Sequence, residues 1–150
     1  MKNVINSEYT PKRQTTGSAG YDIYANEDMD VQRWFKTYDT GICFDGEECP
    51  VITYENERES TKHEFYPDQW VAMIYPRSSM GFKYGLKFAN TVCIIDQDYR
   101  DTIKISLAGE RAFTIKKGER YAQIIFMPCC NLLDEEEPTK ERGGGIGSTD

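Results

Sequence analysis

The sequence lacks an excess of positive charge: 18 Lys and Arg residues stand against 25 Asp and Glu residues, which leaves a net charge of -7. Proteins that bind long nucleic acids present a basic surface to the phosphates, so we expect no long nucleic acid as a partner. The sequence also lacks any apolar run that approaches the roughly 18 residues of a membrane span, and its first residues contain no apolar leader. We therefore expect an intracellular, cytoplasmic protein with no membrane partner.

Residues that bind metals or build catalytic triads are also scarce. The five cysteines form no CxxC pair and are odd in number, and the chain has one histidine, His63. These features favour reduced structural thiols over a zinc site or a disulfide framework. A Ser-His-Asp hydrolase is disfavoured, because no segment near His63 has the pattern of a nucleophile elbow.

The chain does contain a series of short β-rich runs within 150 residues, the size of a single domain. Helical periodicity is hard to find, and turn signals at Gly41, Met80-Gly81 and Lys117-Gly118 separate the runs. This pattern predicts an all-β sandwich or barrel. The expected strands include Val71 to Tyr75, Ile103 to Leu107, Phe113 to Ile115 and Ile124 to Met127.

Two segments depart from this β-rich pattern. Residues 45–66 hold seven acidic and two basic side chains around one short β-prone stretch, and we interpret them as an insertion that could form a hairpin. The insertion is either a solvated loop or the contact surface for a protein partner or another subunit. Residues 134–150 begin acidic and end Gly-rich, which predicts a β domain over residues 1–133 followed by a flexible C-terminal arm.

A candidate phosphate site follows the strand-like run that ends at Tyr75. The segment Pro76 to Gly81 contains Arg77, Ser78 and Ser79. A guanidinium fork and hydroxyl donors in a tight turn are a common way to hold phosphate oxygens. The alternative is an ordinary surface turn, in which the same residue types are frequent.

Three further segments could carry chemistry. Asp96 follows two isoleucines and precedes Tyr99 by three positions, so a carboxylate that orients or deprotonates a water could lie beside an aromatic ring. The alternative explains the spacing equally well: Asp96 is an acidic residue of a surface turn, and Tyr99 packs in the core. Gln123 precedes an apolar run, and its amide must find a partner in the backbone or a ligand. Arg142 and the glycines after it could close over an anion, or they could form a disordered tail.

Taken in order, these pieces resemble the five motifs of the trimeric deoxyuridine triphosphatase (dUTPase) family. The matching order and spacing extend from residue 19 to residue 149, which is far more specific than any single motif. The five segments are Ala19 to Ala25, Pro76 to Gly81, Asn90 to Arg100, Gly118 to Phe126 and Arg142 to Thr149.

The resemblance implies a jelly-roll or β-clip barrel that assembles as a homotrimer with active sites shared between subunits. The implied reaction is the hydrolysis of dUTP to dUMP and pyrophosphate with Mg²⁺, which limits uracil in DNA and supplies dUMP for thymidylate synthesis. By analogy with the family, Asp96 would activate the attacking water, while Tyr99 would pack against deoxyribose and exclude a 2′-hydroxyl.

The resemblance also implies roles for the remaining site residues. Asn90 and the neighbouring backbone would read uracil, and Mg²⁺ would be held through the substrate phosphates, with Asp22 in an indirect or structural role. The other implied substrate contacts are Arg77, Ser78, Ser79, Ile94, Ile95, Lys104, Gln123, Arg142, Ile146, Ser148 and Thr149.

The sequence departs from the family pattern at several positions. Ile146 stands where an aromatic residue usually stacks on uracil, which predicts weaker closure of the arm or a lid supplied elsewhere, with Phe88 as a candidate. Cys93 replaces a customary glycine, and it would either alter the floor of the base pocket or pack in the core. Asp101 replaces another glycine, and residues 45–66 take the place of a short turn.

Two other functions compete with dUTP hydrolysis. A dCTP deaminase of the same superfamily is disfavoured, because the Asp96 to Tyr99 segment and the Gly-rich C-terminus match dUTPases better. A nucleotide-gated regulatory module, in which the trimer binds a protein partner through residues 45–66 and hydrolysis is weak or lost, is the rival from another class.

Overall fold

The computed structural model describes residues 9–44, 69–129 and Gly144, together with two strands over residues 52–56 and 61–65. Eleven strands and one short helix lie in these ranges, which confirms the predicted all-β fold. None of the described helices is long and apolar enough to cross a membrane. The elements are β1 (Tyr21–Tyr24), β2 (Met29–Val31), β3 (Lys36–Asp39), β4 (Ile52–Asn56), β5 (Thr61–Phe65), β6 (Gln69–Pro76), α1 (Ser78–Tyr84), β7 (Lys87–Phe88), β8 (Cys93–Asp96), β9 (Lys104–Ala108), β10 (Phe113–Ile115) and β11 (Arg120–Cys129).

The largest sheet has four antiparallel strands in the order β1-β11-β6-β8. A three-stranded sheet has the order β3-β9-β7, and β10 pairs with β2. Successive side chains of a strand point to opposite faces of the sheet, so the apolar residues at every second position point into the core. The resulting core includes Ile23, Val31, Phe44, Trp70, Ile74, Ile105, Leu107, Ile115, Tyr121 and Ile124, all nearly or fully buried.

The four strands predicted from the sequence are present: two are longer than predicted, one is shifted by one residue and one matches. Phe113–Ile115 matches its prediction, whereas the run expected at Ile124 to Met127 extends over the ten residues of β11. The expected turn at Lys117-Gly118 is confirmed, and Gly118 has a φ of 78° there. Gly41, which follows β3, has a φ of 67°, a conformation that glycine adopts without a steric penalty.

The predicted turn at Met80-Gly81 is wrong, because both residues lie inside α1. Met80 is buried in the core, and Gly85, with a φ of 63°, caps the helix after Tyr84. The seven-residue helix is too short to show a hydrophobic repeat in the sequence, so the Ser and Gly residues there favoured a turn instead.

Residues 45–66 contain a hairpin, the form suggested for the insertion by its sequence. β4 and β5 pair antiparallel, from Ile52 opposite Phe65 to Asn56 opposite Thr61. The C-terminal arm lies outside the described residues apart from Gly144, so the division into residues 1–133 and 134–150 stays a prediction.

Candidate functional site

One face of the four-stranded sheet points away from the core and carries four of the predicted site residues, Asp22, Ile94, Asp96 and Gln123. Directly opposite residues of antiparallel strands share a face, so the pairings of β6 with β8 and β11 define rows across this sheet. We call this surface the outer face. Its rows are Asp96, Val71 and Met127 at one end, then Ile94, Met73 and Ile125, then Tyr75, Gln123 and Asp22.

A carboxylate held by two arginines lies at one end of the outer face. Asp22 on β1 is nearly buried, and its Oδ1 is 3.1 Å from Nε of Arg77, which directly follows β6. Its Oδ2 accepts a hydrogen bond of 3.0 Å from Nη1 of Arg120 on β11. The arrangement joins the first, second and fourth motifs and fixes the position of the Arg77 guanidinium.

The same end of the outer face contains Gln123, Ser78 and Ser79. Gln123 is half-buried and lies opposite Asp22, while both serines are exposed at the start of α1. A Cβ on Gly20 would come within 3.0 Å of the Gln123 side-chain oxygen, so the glycine of the first motif makes room for that amide. The structure therefore brings Arg77 and Gln123 together, with the two hydroxyls following Arg77 in the chain.

Asp96 lies at the opposite end of the outer face, where β8 ends. It is exposed and lines an open groove of about 540 Å³ that also contains Ile94, Gln97 and Asp98. The side-chain oxygen of Gln97 accepts a hydrogen bond of 3.0 Å from the Trp70 backbone N–H, which fixes the turn after β8 to the edge of β6. Asp96 thus lies exposed at the end of β8, beside this groove.

Tyr99 and Ile95 of the third motif are buried in the core. Tyr99 is 7% exposed within the core, and its hydroxyl donates a 3.3 Å hydrogen bond to the Thr102 carbonyl. Ile95 lies opposite Ala72 with its side chain inward. Only a small part of the Tyr99 ring is accessible in this chain, and Ile95 can meet a ligand mainly through its backbone.

Asn90 occupies an exposed turn between β7 and β8. Cys93 follows at the start of β8, opposite Ile74, and its side chain is 3% exposed. Of the two interpretations of Cys93, the structure supports packing in the core. Its Sγ also lies 3.4 Å from Oδ1 of Asn90, to which the thiol donates.

Other predicted positions lie away from the outer face or outside the described residues. Lys104 is exposed on β9 in the three-stranded sheet, opposite Asp39. Phe88 is 4% exposed in the core, so the hypothesis that it forms a lid over the base is wrong. The arm residues lie outside the described part of the chain: Arg142, Ile146, Ser148 and Thr149.

The two ends of the outer face are too far apart to act on one phosphate within a single chain. Asp96 and Asp22 are three strands apart and four residues apart along the strands. With about 4.8 Å between strands and about 3.4 Å per residue, their separation is roughly 20 Å. Because Arg77 is bonded to Asp22, its guanidinium is similarly distant from the Asp96 carboxylate.

Comparison with known proteins identifies the family. A family model described as dUTPase matches residues 47–150. A deoxyuridine 5'-triphosphate nucleotidohydrolase from Burkholderia mallei (strain SAVP1) is 34% identical over 148 residues, which cover 95% of this chain and 89% of that protein. The chain belongs to the dUTPase family. This result confirms the resemblance carried by the five motifs.

Other members of the dUTPase family match over different lengths. A protein of the same name from Paramecium bursaria Chlorella virus 1 is 35% identical over 156 residues, with 99% of this chain and 95% of the viral protein covered. The protein of that name from Photorhabdus laumondii is 41% identical over 86 residues, and there the match spans 57% of the relative.

Solved dUTPase structures support the fold. The dUTPase from Streptococcus mutans has a TM-score of 0.62 at 23% identity and covers 87% of this chain and 98% of its own. The dUTPase of Staphylococcus bacteriophage 80alpha has a TM-score of 0.59 at 18% identity, with 87% and 92% covered. The predicted dUTPase-like β fold is therefore confirmed.

Sequence reasoning missed one contributor to the site, the Arg120 side chain. Arg120 lies inside the fourth dUTPase motif, but nothing in its spacing gave it a role. A nearly buried carboxylate such as Asp22 requires compensating charge, and the first and fourth motifs lie on neighbouring strands. Because a buried Asp22 needs a cationic partner, the sequence could have indicated Arg120 as a candidate for that partner.

Proposed function

We propose that the chain hydrolyses dUTP to dUMP and pyrophosphate. The observation that carries the proposal is the pair of opposed groups on the outer face, the exposed Asp96 carboxylate at one end and the Arg77 guanidinium held by Asp22 at the other. Family membership and the names of the relatives support dUTP as the substrate. Since the substrate is a free nucleotide, the cytoplasm is the proposed location.

The separation of the two groups supports a homotrimer with sites between subunits. Reacting groups must approach to about 3–3.5 Å, whereas Asp96 and Arg77 of one chain are roughly 20 Å apart. Between them lies an apolar row in which Ile94 is 62% exposed, and Met127 nearby is 45% exposed. Contact between outer faces of neighbouring subunits would cover these side chains and bring Asp96 of one chain to Arg77 of another.

In the proposed mechanism, Asp96 orients a water molecule and accepts its proton as the water oxygen bonds to phosphorus. The bridging bond between the α- and β-phosphates breaks, and its electron pair leaves with pyrophosphate. Arg77 and Gln123 hold phosphate oxygens, with Ser78 and Ser79 as further donors. The guanidinium is already fixed by Asp22, so its charge faces the leaving group without reorganisation.

The other end of the nucleotide meets the third motif. We assign Asn90 and its turn to uracil, Ile94 and the Ile95 backbone to the nucleoside, and the accessible part of Tyr99 to deoxyribose. Lys104 is assigned a position close to the nucleotide, and the arm would close over the site. The proposed arm contacts are Arg142, Ile146, Ser148 and Thr149.

The protein side chains available to coordinate Mg²⁺ are consistent with a metal that binds together with the substrate. Within residues 9–44 and 69–129, no group of three His, Cys, Asp or Glu side chains could hold a metal ion. Mg²⁺ keeps several waters and commonly binds through substrate phosphates, so it would supply positive charge to the triphosphate without a protein cage. Because both Asp22 oxygens are bonded to arginines, we assign this carboxylate a structural role.

A protein-binding function through residues 45–66 is a second candidate, favoured by the β4–β5 hairpin that the acidic insertion forms. Staphylococcus bacteriophage 80alpha dUTPase is described as controlling transfer of virulence genes by a proto-oncogenic G protein-like mechanism. A regulatory partner of this chain would add to hydrolysis or replace it. The family match to dUTPases disfavours the dCTP deaminase alternative.

The proposed reaction is tested by pyrophosphate release from dUTP, dCTP, dTTP and UTP, each with Mg²⁺ and with excess chelator. We expect metal-dependent release from dUTP alone. Binding of dUTP without release would favour the regulatory module, and release from every nucleotide would contradict the proposed recognition of base and sugar.

Variants of Asp96 test the mechanism within the same assay. Asp96→Asn keeps the size of the side chain but removes the proton acceptor, so turnover should fall by at least about 100-fold while dUTP still binds. Asp101→Asn makes the same charge change at an exposed position outside the proposed contacts and should leave turnover unchanged. Full activity of Asp96→Asn would remove Asp96 from the mechanism.

A further inference from the structure

The turn that carries Asn90 is held in a conformation that its sequence does not favour. Thr91 has a φ of 63°, and within the described residues it is the one residue other than glycine with a positive φ. A β-branched residue rarely adopts this backbone, so surrounding contacts must hold it there. The backbone contacts are hydrogen bonds from Ala89 N–H to Ser106 O (2.9 Å), Thr91 N–H to Phe88 O (3.2 Å) and Val92 N–H to Asn90 O (2.6 Å).

A side-chain contact inside this turn fixes Asn90 itself. The thiol of Cys93 donates to Oδ1 of Asn90 across 3.4 Å, from a position buried in the core opposite Ile74. Burial raises the pKa of the Cys93 thiol, so the sulfur keeps its proton and remains a donor at neutral pH. The contact anchors an exposed amide to the rigid start of β8.

This contact distinguishes the two ends of the Asn90 amide. An amide has one oxygen acceptor and one NH₂ donor, and the thiol engages the oxygen. The NH₂ group is then the end offered to a base. Uracil presents a carbonyl acceptor at the position where cytosine presents an amino donor, so an amide in this orientation favours uracil, and a flipped amide favours cytosine.

We propose that Cys93 is a positioning residue that sets the orientation of the Asn90 amide and thereby discriminates dUTP from dCTP. The inference rests on the proposed function, because it assumes that Asn90 meets the base. The family pattern has glycine at this position, which has no side chain to hold Asn90. The contact from Cys93 therefore restricts the Asn90 side chain in a turn whose backbone already has the unusual positive φ of Thr91.

The kinetic test compares Cys93→Ser, which keeps a donor, with Cys93→Ala and Cys93→Val, which remove it. In both variants without a donor, we expect the ratio of kcat/KM for dUTP to that for dCTP to fall about five-fold, through a higher KM for dUTP at unchanged kcat. Cys93→Ser should retain the wild-type ratio. Cys43→Ala, which removes a half-buried thiol elsewhere, serves as the control and should also retain it.

Measuring the unfolding transition of every variant distinguishes the loss of the hydrogen bond to Asn90 from a loss of packing in the core. Valine fills the core site without a donor, so a change of selectivity in a stable Cys93→Val protein must come from the lost hydrogen bond. Wild-type selectivity in that variant, or an equal loss in Cys93→Ser, would overturn the proposal.

A second readout does not depend on catalysis. In nucleotide-free protein labelled with ¹⁵N-asparagine, the side-chain NH₂ resonances of Asn90 should differ from those of a freely rotating amide. Cys93→Val should shift them towards the values of a free amide, and Cys93→Ser should not. If wild-type protein fails to hydrolyse dUTP, the proposed function fails, yet the resonances still decide whether Cys93 positions Asn90. Identical Asn90 resonances in wild-type protein and Cys93→Val would contradict the positioning role.

Discussion

At the scale of single residues, the phosphate end of the site depends on Asp22. Two arginines bond to its separate oxygens, with side-chain exposures of 11% for Asp22, 26% for Arg77 and 37% for Arg120. Partly buried ion pairs are costly to break, because the remaining charges lose a partner that water replaces only in part. Asp22 therefore stabilises the domain and at the same time aims Arg77.

Replacement of Asp22 tests both effects. Asp22→Asn should lower the free energy of unfolding by about 1–3 kcal/mol, measured by chemical denaturation, because the two arginines lose their counter-charge. The KM for dUTP should rise as Arg77 loses its fixed position. Asp28→Asn is the matched control, since its pair with Lys116 is exposed and should contribute little. Equal stability of the two variants would contradict a structural role for Asp22.

Single residues also show where sequence reasoning succeeds and fails. The resemblance to the dUTPase family left Asp22 an indirect or structural role, and the two arginines bonded to its oxygens favour the structural one. The contact between Cys93 and Asn90 could not be predicted, because it depends on the strained turn at Thr91. Phe88 was misassigned because aromatic character does not reveal which face of a two-residue strand a side chain occupies.

At the scale of secondary-structure elements, β6 organises the site. It pairs with β8 on one side and β11 on the other, so the second, third and fourth motifs share one sheet. The sequence predicted two strands of this sheet, β6 and β11, because long strands leave a clear pattern of branched and apolar residues. The seven-residue helix α1 leaves no such pattern, and its sequence favoured a turn.

The apolar row of the outer face predicts how subunits associate. Met127→Glu places a charge on that face, where burial against a neighbouring subunit would leave it unpaired. The mass measured by light scattering should fall from three chains towards one. Phe82→Glu is the control, because Phe82 is 94% exposed but lies on α1 outside the outer face. A trimer that withstands Met127→Glu would exclude this face as the interface, and a monomeric wild type would exclude shared sites.

At the scale of the whole molecule, negative net charge and an anionic substrate are compatible. The charge of -7 describes the complete chain, whereas the proposed phosphate end concentrates two arginines around one carboxylate. Local charge rather than net charge sets the potential in a pocket. The β-rich runs and the turn signals between them correctly predicted the fold class, but the register that separates Asp96 from Arg77 emerges only from the paired strands.

In the proposed trimer, each active site takes Asp96 from one subunit and Arg77 from another. The most direct measurement co-expresses Asp96→Asn and Arg77→Ala chains with different tags, purifies the mixed trimers and measures dUTP hydrolysis. Each variant alone should be inactive, while random mixing should restore about one quarter of the sites, because those sites receive an intact Asp96 and an intact Arg77 from different chains. Mixed trimers as inactive as the single variants would show that both residues must come from the same chain and would contradict the account.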